Sequence, residues 1–283
     1  MTLIIGKRSN LSKEIFKKCN DCILISSSDI EQNLDTILHY CKDSYINIIF
    51  NNFQSSVLLN DNTNFDEYIV KSLLNTSKML TFLVNKNIKI NKIIYTSSSS
   101  VYGNNKFCSE QDPVKPMNFQ GALKVANEEL IKRFCTEHNI AYVITRIFNM
   151  YGKDDNFSII HKVKNSYLTK KKLVIINDGK GIRDYIHIND VVSIYKFLLD
   201  PKHKTPNILN VASGKSTKVF DILNFLKKNN ILLDTDKKQR IEINISIANV
   251  DLLNQYINTD TFIDVEKYLL HELNINKGKN LEK

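Results

Sequence analysis

At 283 residues, 42% of them hydrophobic and 24% charged, the chain is long enough for one large domain or two joined ones with a substantial core. Its formal net charge of +9, from 39 Lys and Arg against 30 Asp and Glu, is spread over short runs such as Lys170-Lys171-Lys172 and Lys227-Lys228. No nucleic-acid recognition module accompanies them, which argues against a nucleic-acid partner, and no run approaches the ~18 apolar residues of a membrane span.

The first half alternates short apolar runs with stretches of helical spacing. Strands are expected over 3–5, 23–25, 46–50, 93–95 and 141–145, each short and β-branched or aromatic-rich, as buried parallel strands are. Helices are expected between them, over 12–18, 30–41, 65–85 and 121–138. In the last of these, Ala122, Ala126, Leu130 and Phe134 recur at intervals of four. Right-handed crossovers then give an α/β fold, a Rossmann-like doubly wound parallel sheet. The second half is less regular. It predicts a helix over 156–168, a strand over 173–176, a helix over 189–199, a strand over 208–211 that returns to the main sheet, and a helix over 218–229. From Asn274 the tail is polar and lysine-rich and is expected to fray. An apolar strand pattern begins at Leu3 without a charged leader, so a cytoplasmic protein is expected.

Five cysteines, Cys19, Cys22, Cys41, Cys108 and Cys135, form an odd and scattered set. Only Cys19 and Cys22 are close. Without a second pair or a histidine at ligand spacing, they predict reduced thiols and no metal site.

The turn after the first strand reads Gly6-Lys7-Arg8-Ser9-Asn10-Leu11-Ser12. Small residues three apart at the entrance to a helix let backbone amides approach a pyrophosphate, and Gly6, Ser9 and Ser12 stand at that spacing. Two of the three are serine, whose Cβ takes up space, and a strand–turn–helix with no ligand would read much the same. Ser26 at the end of the second strand and Asn51, Asn52 and Phe53 at the end of the third complete the expected cofactor-binding set. Lys7 and Arg8 bring positive charge to the turn, and no acidic residue follows the second strand until Asp29. That charge pattern favours NADP over NAD.

Further along, Tyr95-Thr96-Ser97-Ser98-Ser99-Ser100-Val101-Tyr102-Gly103 is followed by Gln120-Gly121-Ala122-Leu123-Lys124. Three more segments stand out: Arg146-Ile147-Phe148-Asn149-Met150-Tyr151-Gly152, the run from Gly179 through Arg183-Asp184-Tyr185-Ile186-His187 to Asp190, and Asn210-Val211-Ala212-Ser213-Gly214. Together they resemble the extended short-chain dehydrogenase/reductase family, which epimerises, dehydrates or reduces nucleotide-linked sugars, over residues 1 to about 225. The resemblance implies a dinucleotide-binding domain over 1–148 and a substrate-binding lobe over 149–283. It gives Ser98 the reacting sugar hydroxyl or ketone. Lys124 it gives both the nicotinamide ribose hydroxyls and the lowering of a tyrosine pKa. Asn149 is expected to contact the sugar or its diphosphate, and Arg183 to fork onto the diphosphate. Tyr102 would line the pocket, and a homodimer would form through the helices over 65–85 and 121–138. Gly121-Ala122 reads as small residues that let a cofactor approach. His187, between Ile186 and Ile188, reads as structural, and Asp190 as a helix cap.

Where that family has a tyrosine four residues before the lysine, this chain has Gln120. An amide donates and accepts hydrogen bonds but cannot act as a general acid or base. Three readings stay open: a binding-only relative, a proton carried by Tyr102 or a water, or an engineered substitution. The expected function is hydride transfer at a sugar carbon by an NAD(P)-dependent C4 epimerase or 4-keto-reductase. Lys7-Arg8 points towards the reductase and the run from Arg183 to His187 towards the epimerase. A dehydratase would want an acid/base pair where Ser99-Ser100 stands. The alternative is a non-catalytic protein that binds a dinucleotide or a nucleotide-linked sugar.

Overall fold

The computed structural model describes residues 1–27, 37–39, 45–53 and 65–281, with side chains through Asn274. Its strands are β1 (Thr2–Ile5), β2 (Cys22–Ile25), β3 (Ile46–Phe50), β4 (Ile90–Ser98), β5 (Phe107–Cys108), β6 (Ala141–Ile147) and β7 (Asn149–Tyr151). They continue as β8 (Leu173–Ile176), β9 (Ile182–His187), β10 (Ile208–Val211), β11 (Ser216–Lys218), β12 (Thr235–Lys238) and β13 (Ile245–Ala248). The α-helices are α1 (Asn10–Lys17), α2 (Phe65–Ile69), α3 (Asn75–Asn85), α4 (Phe119–Glu137), α5 (Ile159–Thr169), α6 (Ile188–Leu199), α7 (Val219–Lys228), α8 (Asp251–Asn254) and α9 (Val265–Leu281).

Six strands form the main sheet in the order β10-β6-β4-β3-β1-β2, with β1 parallel to β2 and β3, and β3 parallel to β4. Every residue of β1 is buried, as continuous apolar strands covered on both faces should be. The core around it gathers Leu3, Ile5, Ile48, Phe50, Ile93 and Tyr95 with Met79, Leu83 and Ile131 of the covering helices. This is the Rossmann-like α/β fold expected from the alternating pattern. The expected helix over 30–41 lies outside the described residues, apart from 37–39, which are helical.

The chain divides into two compact units, one of residues 1–103, 113–146 and 192–209, the other of residues 104–112, 147–191 and 210–283. In the second, β9 is parallel to β7 and β13 and antiparallel to β11, while β12 pairs with β8. Its core joins Tyr151, Ile160, Val163 and Leu173 to Val265, Leu269 and Leu273 of α9.

Three expectations need correction. The helix over 65–85 is interrupted by a π-helical turn at Val70–Leu74, whose Ser72 carbonyl accepts the Asn127 amide at 2.9 Å. The tail does not fray at Asn274, because α9 continues to Leu281, anchored upstream by buried residues spaced four apart. Finally, Cys19 and Cys22 are not reduced thiols: their sulfurs are bonded, with Cα atoms 5.8 Å apart, which ties the end of α1 to the start of β2. Cys108 and Cys135 are buried and outside this disulfide. Among the described residues no helix is long and apolar enough to cross a membrane.

Candidate functional site

The turn from β1 into α1 is stitched by the chain itself. Gly6 has φ +125°, and a Cβ there would meet the Asn51 carbonyl oxygen at 2.2 Å, so the glycine is required by the close pass of the β3 strand end. Gly6 and Lys7 both donate their amides to the Ile25 carbonyl of β2, at 2.9 and 3.0 Å. The side-chain amide of Asn51 donates to Ser9 Oγ at 2.7 Å and to Ser12 Oγ at 2.9 Å. Ser12 and Leu11 are buried, Asn10 and Ser26 are half-buried, and Lys7 and Arg8 are exposed. Asn52 is buried and donates to Thr76 Oγ1 at 3.0 Å.

At the end of β4, Ser98 is half-buried, and its Oγ accepts the Ser100 amide at 3.2 Å, capping a short 3-10 turn through Tyr102. Gln120 is the second residue of α4, half-buried, and stands one turn before Lys124. Asn118 caps that helix by accepting the Gly121 amide at 2.8 Å. Gly121 itself is tight against its own chain: a Cβ would lie 2.9 Å from both the Ser100 carbonyl and Pro116. Its smallness serves this helix-to-turn contact, and Ala122 is exposed.

Lys124 is only 6% exposed. Its Nζ donates to the Thr96 carbonyl at 2.6 Å and lies 4.2 Å from the Phe53 ring centre and 5.2 Å from that of Tyr95. Burial pushes its pKa down to about 7, opposed by the nearby Glu128 carboxylate. Phe53 is held in turn by Tyr68, edge-on at 5.9 Å, and Tyr68 lies 6.0 Å from Phe119 beside Gln120.

Beneath these groups lies a buried polar cluster that the sequence reading missed. Glu128 accepts from Ser97 Oγ and forms an ion pair with Arg146, NH2 to Oε2 at 2.7 Å. The Arg146 guanidinium stands 4.8 Å over the Tyr102 ring. Tyr102 is 2% exposed. Glu128 on α4 and Arg146 on β6, eighteen residues apart, gave no local signal in the sequence.

In the second unit, Asn149 donates its side-chain amide to the Asp184 carbonyl at 2.9 Å. Arg183 pairs with Glu242 at 3.4 Å and donates NH1 to the Ile182 carbonyl at 2.9 Å. Asp184 is the hub that sequence reasoning passed over. Fully buried, it accepts the Ser213 amide and hydroxyl at 2.8 and 2.7 Å and the Gly214 amide at 2.9 Å. Burial pushes its carboxyl up to about 6 against those donors. Its only trace in the sequence was its place beside Arg183 and the small-residue turn at Ser213-Gly214. His187 is structural, as expected: its Nδ1 accepts the Asn189 amide at 3.1 Å, its ring packs on Tyr151 and Tyr268, and burial pushes its pKa down to about 4. Asp190 lies inside α6 rather than at its cap position, and its carboxylate accepts the Ile263 amide at 3.0 Å.

A nicotinamide dinucleotide does not fit the first unit's side chains as they are placed. Its pyrophosphate would seek the turn at the α1 N-terminus, where Ser9 and Ser12 are already bonded by Asn51. A ribose hydroxyl would seek Lys124, whose amine donates to the Thr96 carbonyl and is faced by the Phe53 ring. Among the described residues no cluster of three or more His, Cys, Asp or Glu could hold a metal ion.

The family model described as NAD dependent epimerase/dehydratase matches residues 25–212, more than half of the chain. The dTDP-D-glucose 4,6-dehydratase of Dictyostelium discoideum is 28% identical over 80% of this chain and 48% of its own length. The ADP-L-glycero-D-manno-heptose-6-epimerase of Brachyspira hyodysenteriae is 26% identical over 80% of this chain and 72% of its own. The chain spans about half the length of the first of these relatives. Among solved structures, MoeE5 in complex with UDP-glucuronic acid and NAD superposes with a TM-score of 0.81 at 18% identity, covering 98% of this chain and 99% of that one. The UDP-glucose 4-epimerase of Thermotoga maritima with UDP-glucose gives 0.79 at 15% identity, over 100% and 99%.

Proposed function

The chain belongs to the NAD dependent epimerase/dehydratase family, and from that premise we propose that it recognises a nucleotide-linked sugar while its hydride-transfer step is crippled. The observation that carries the reading is Gln120, set in the first turn of α4 four residues before Lys124. An amide there can hold a sugar hydroxyl but not trade a proton with it, and loss of such a group typically costs on the order of 10²–10⁴ in rate. Tyr102 is a poor substitute, since it is buried with the Arg146 guanidinium stacked over its ring. Arg183 and Asn149 are the side chains we assign to the diphosphate and sugar. A guanidinium suits a diphosphate because its planar fork offers paired donors.

The second reading is an NAD(P)-dependent epimerase or 4-keto-reductase that retains turnover. It is favoured by Ser98, half-buried, and by Lys124 one helical turn beyond Gln120. On that reading another group carries the proton, so Gln120→Tyr leaves turnover on the right substrate unchanged, whereas crippled catalysis predicts a sharp gain. The exposed Lys7 and Arg8 would then favour NADP. A homodimer accords with either reading: Phe65, Val70 and Leu74 are exposed on the first helical leg, and Ala122 and Ala126 on α4.

The test is a thermal-shift panel with UDP-, GDP-, CDP- and dTDP-linked sugars. Binding stabilises by mass action, about 2.7 kcal/mol at a hundred times Kd. A shift with one nucleotide family is expected; silence across the panel defeats the reading.

A further inference from the structure

We infer that the Rossmann half of this chain fills its own dinucleotide seat and no longer takes a nicotinamide dinucleotide. Two separate places support this. At the α1 N-terminus, Asn51 bonds both Ser9 Oγ and Ser12 Oγ. These two serines stand where a dinucleotide turn wants residues without side chains, so that the pyrophosphate can approach the backbone and the helix can close on the strand. Ser12 is fully buried, and its hydroxyl accepts the Asn51 amide. The serines and Asn51 form a matched set, and a pyrophosphate entering there would have to displace both bonds.

At the other place the covering group is aromatic. An ammonium has three N–H donors and no acceptor. One goes to the Thr96 carbonyl, and the amine otherwise faces the Phe53 and Tyr95 rings. Phe53 does not stand alone over it, since Tyr68 and Phe119 continue the ring contacts behind. The protonated amine is attracted to the aromatic face, and a ribose hydroxyl would have to displace that contact. Lys124 thereby becomes a ligand for the protein's own carbonyl and rings. Sugar-nucleotide recognition by Arg183 and Asn149, in the second unit, neither requires this nor excludes it.

Isothermal titration of the wild-type protein with NAD⁺, NADH, NADP⁺ and NADPH, and separately with UDP-, GDP-, CDP- and dTDP-linked sugars, decides the matter. None of the four dinucleotides should bind with a Kd below millimolar; one that does overturns the inference, whatever the sugar nucleotides do. Failure of every sugar nucleotide with the dinucleotides also silent would instead sink the proposed function and leave the self-filled seat standing. Reductive methylation read by mass spectrometry gives a second measure. In the wild type, Lys124 should resist labelling while exposed Lys7 and Lys13 react, and Phe53→Ala should bring Lys124 towards the surface rate. Wild-type Lys124 that labels as fast as Lys7, or that a dinucleotide protects, refutes the inference even where Phe53→Ala fails to fold.

Discussion

Arg183 is held by the Glu242 carboxylate, which a diphosphate would have to displace on the proposed assignment. Its NH2 stands 3.4 Å from Glu242 Oε2, and both side chains are less than one-fifth exposed. Hydrogen bonds to charged groups are worth roughly 1.5–3 kcal/mol, so losing the guanidinium should weaken a bound sugar diphosphate about 10–100-fold. Glu242 works against the ligand, both by occupying the fork and by repelling the incoming phosphates. Arg183→Ala should therefore abolish a thermal shift that the wild type shows, and Glu242→Ala should enlarge it. Equal Kd values for the wild type and both variants, by calorimetry, would remove Arg183 from the diphosphate altogether. Gly181 belongs to the same arrangement: a Cβ there would stand 3.1 Å from both Arg183 NH1 and Glu242 Oε1.

α4 is the element whose stability depends most on polar packing. Its buried face carries Gly121, Lys124, Asn127, Glu128, Ile131 and Cys135, and the Glu128–Arg146 pair lies at its centre with 7% and 5% side-chain exposure. Removing one partner of a buried pair leaves an uncompensated charge and typically costs about 3–5 kcal/mol. Glu128→Ala should lower the unfolding free energy from a denaturant titration by that much, whereas Glu129→Ala, on the exposed side of the same helix, should scarcely move it. The same helix shows where the sequence was hard to read. Ala122, Ala126, Leu130 and Phe134 recur at helical spacing and pointed to an apolar face, yet Ala122 and Ala126 are exposed. Helical periodicity was legible; the inward face was not, because tertiary partners turn Lys124, Asn127 and Glu128 inward. β12 left no signal either, as Thr235–Lys238 is polar and exposed throughout. α9 was legible and was overlooked: Val265, Leu269 and Leu273 recur every four residues and are buried. The main-sheet strands came through clearly because both faces are apolar. Phe53 and Lys124 were both read as cofactor-binding residues, but the ring's place against the amine was not legible, because 71 residues separate them and only the fold brings them together.

For the molecule as a whole, the buried titratable groups predict stability that leans to alkaline pH. Stability rises with pH wherever the unfolded chain binds more protons than the native one. Lys124 is lowered from 10.5 to about 7, so between those values the unfolded chain holds a proton that the native state has released. That contribution grows as pH rises from about 7 and is complete near the ordinary lysine value. Each pKa unit is worth roughly 1.4 kcal/mol, which makes Lys124 the largest single driver on this side. On the acid side two groups oppose each other. His187 is lowered from 6.5 to about 4 and withdraws stability as pH falls through that window, while Asp184 is raised from 3.8 to about 6 and adds stability over nearly the same fall. Their shifts are similar in size and opposite in sign, so this window should be comparatively flat. Above 10, the tyrosines raised by burial, Tyr95 and Tyr195 among them, leave the native state holding protons that the unfolded chain has lost, and stability turns down. The melting temperature should therefore peak between the Lys124 value of about 7 and the ordinary tyrosine value of 10.0. Lys124→Met keeps the apolar stem and removes the titrating amine, so it should flatten the rise on the alkaline side while sparing the acid limb. A variant whose alkaline rise matches the wild type would mean that the Lys124 amine keeps its proton in the folded protein, with Phe53 and Thr96 holding an ammonium through the whole range.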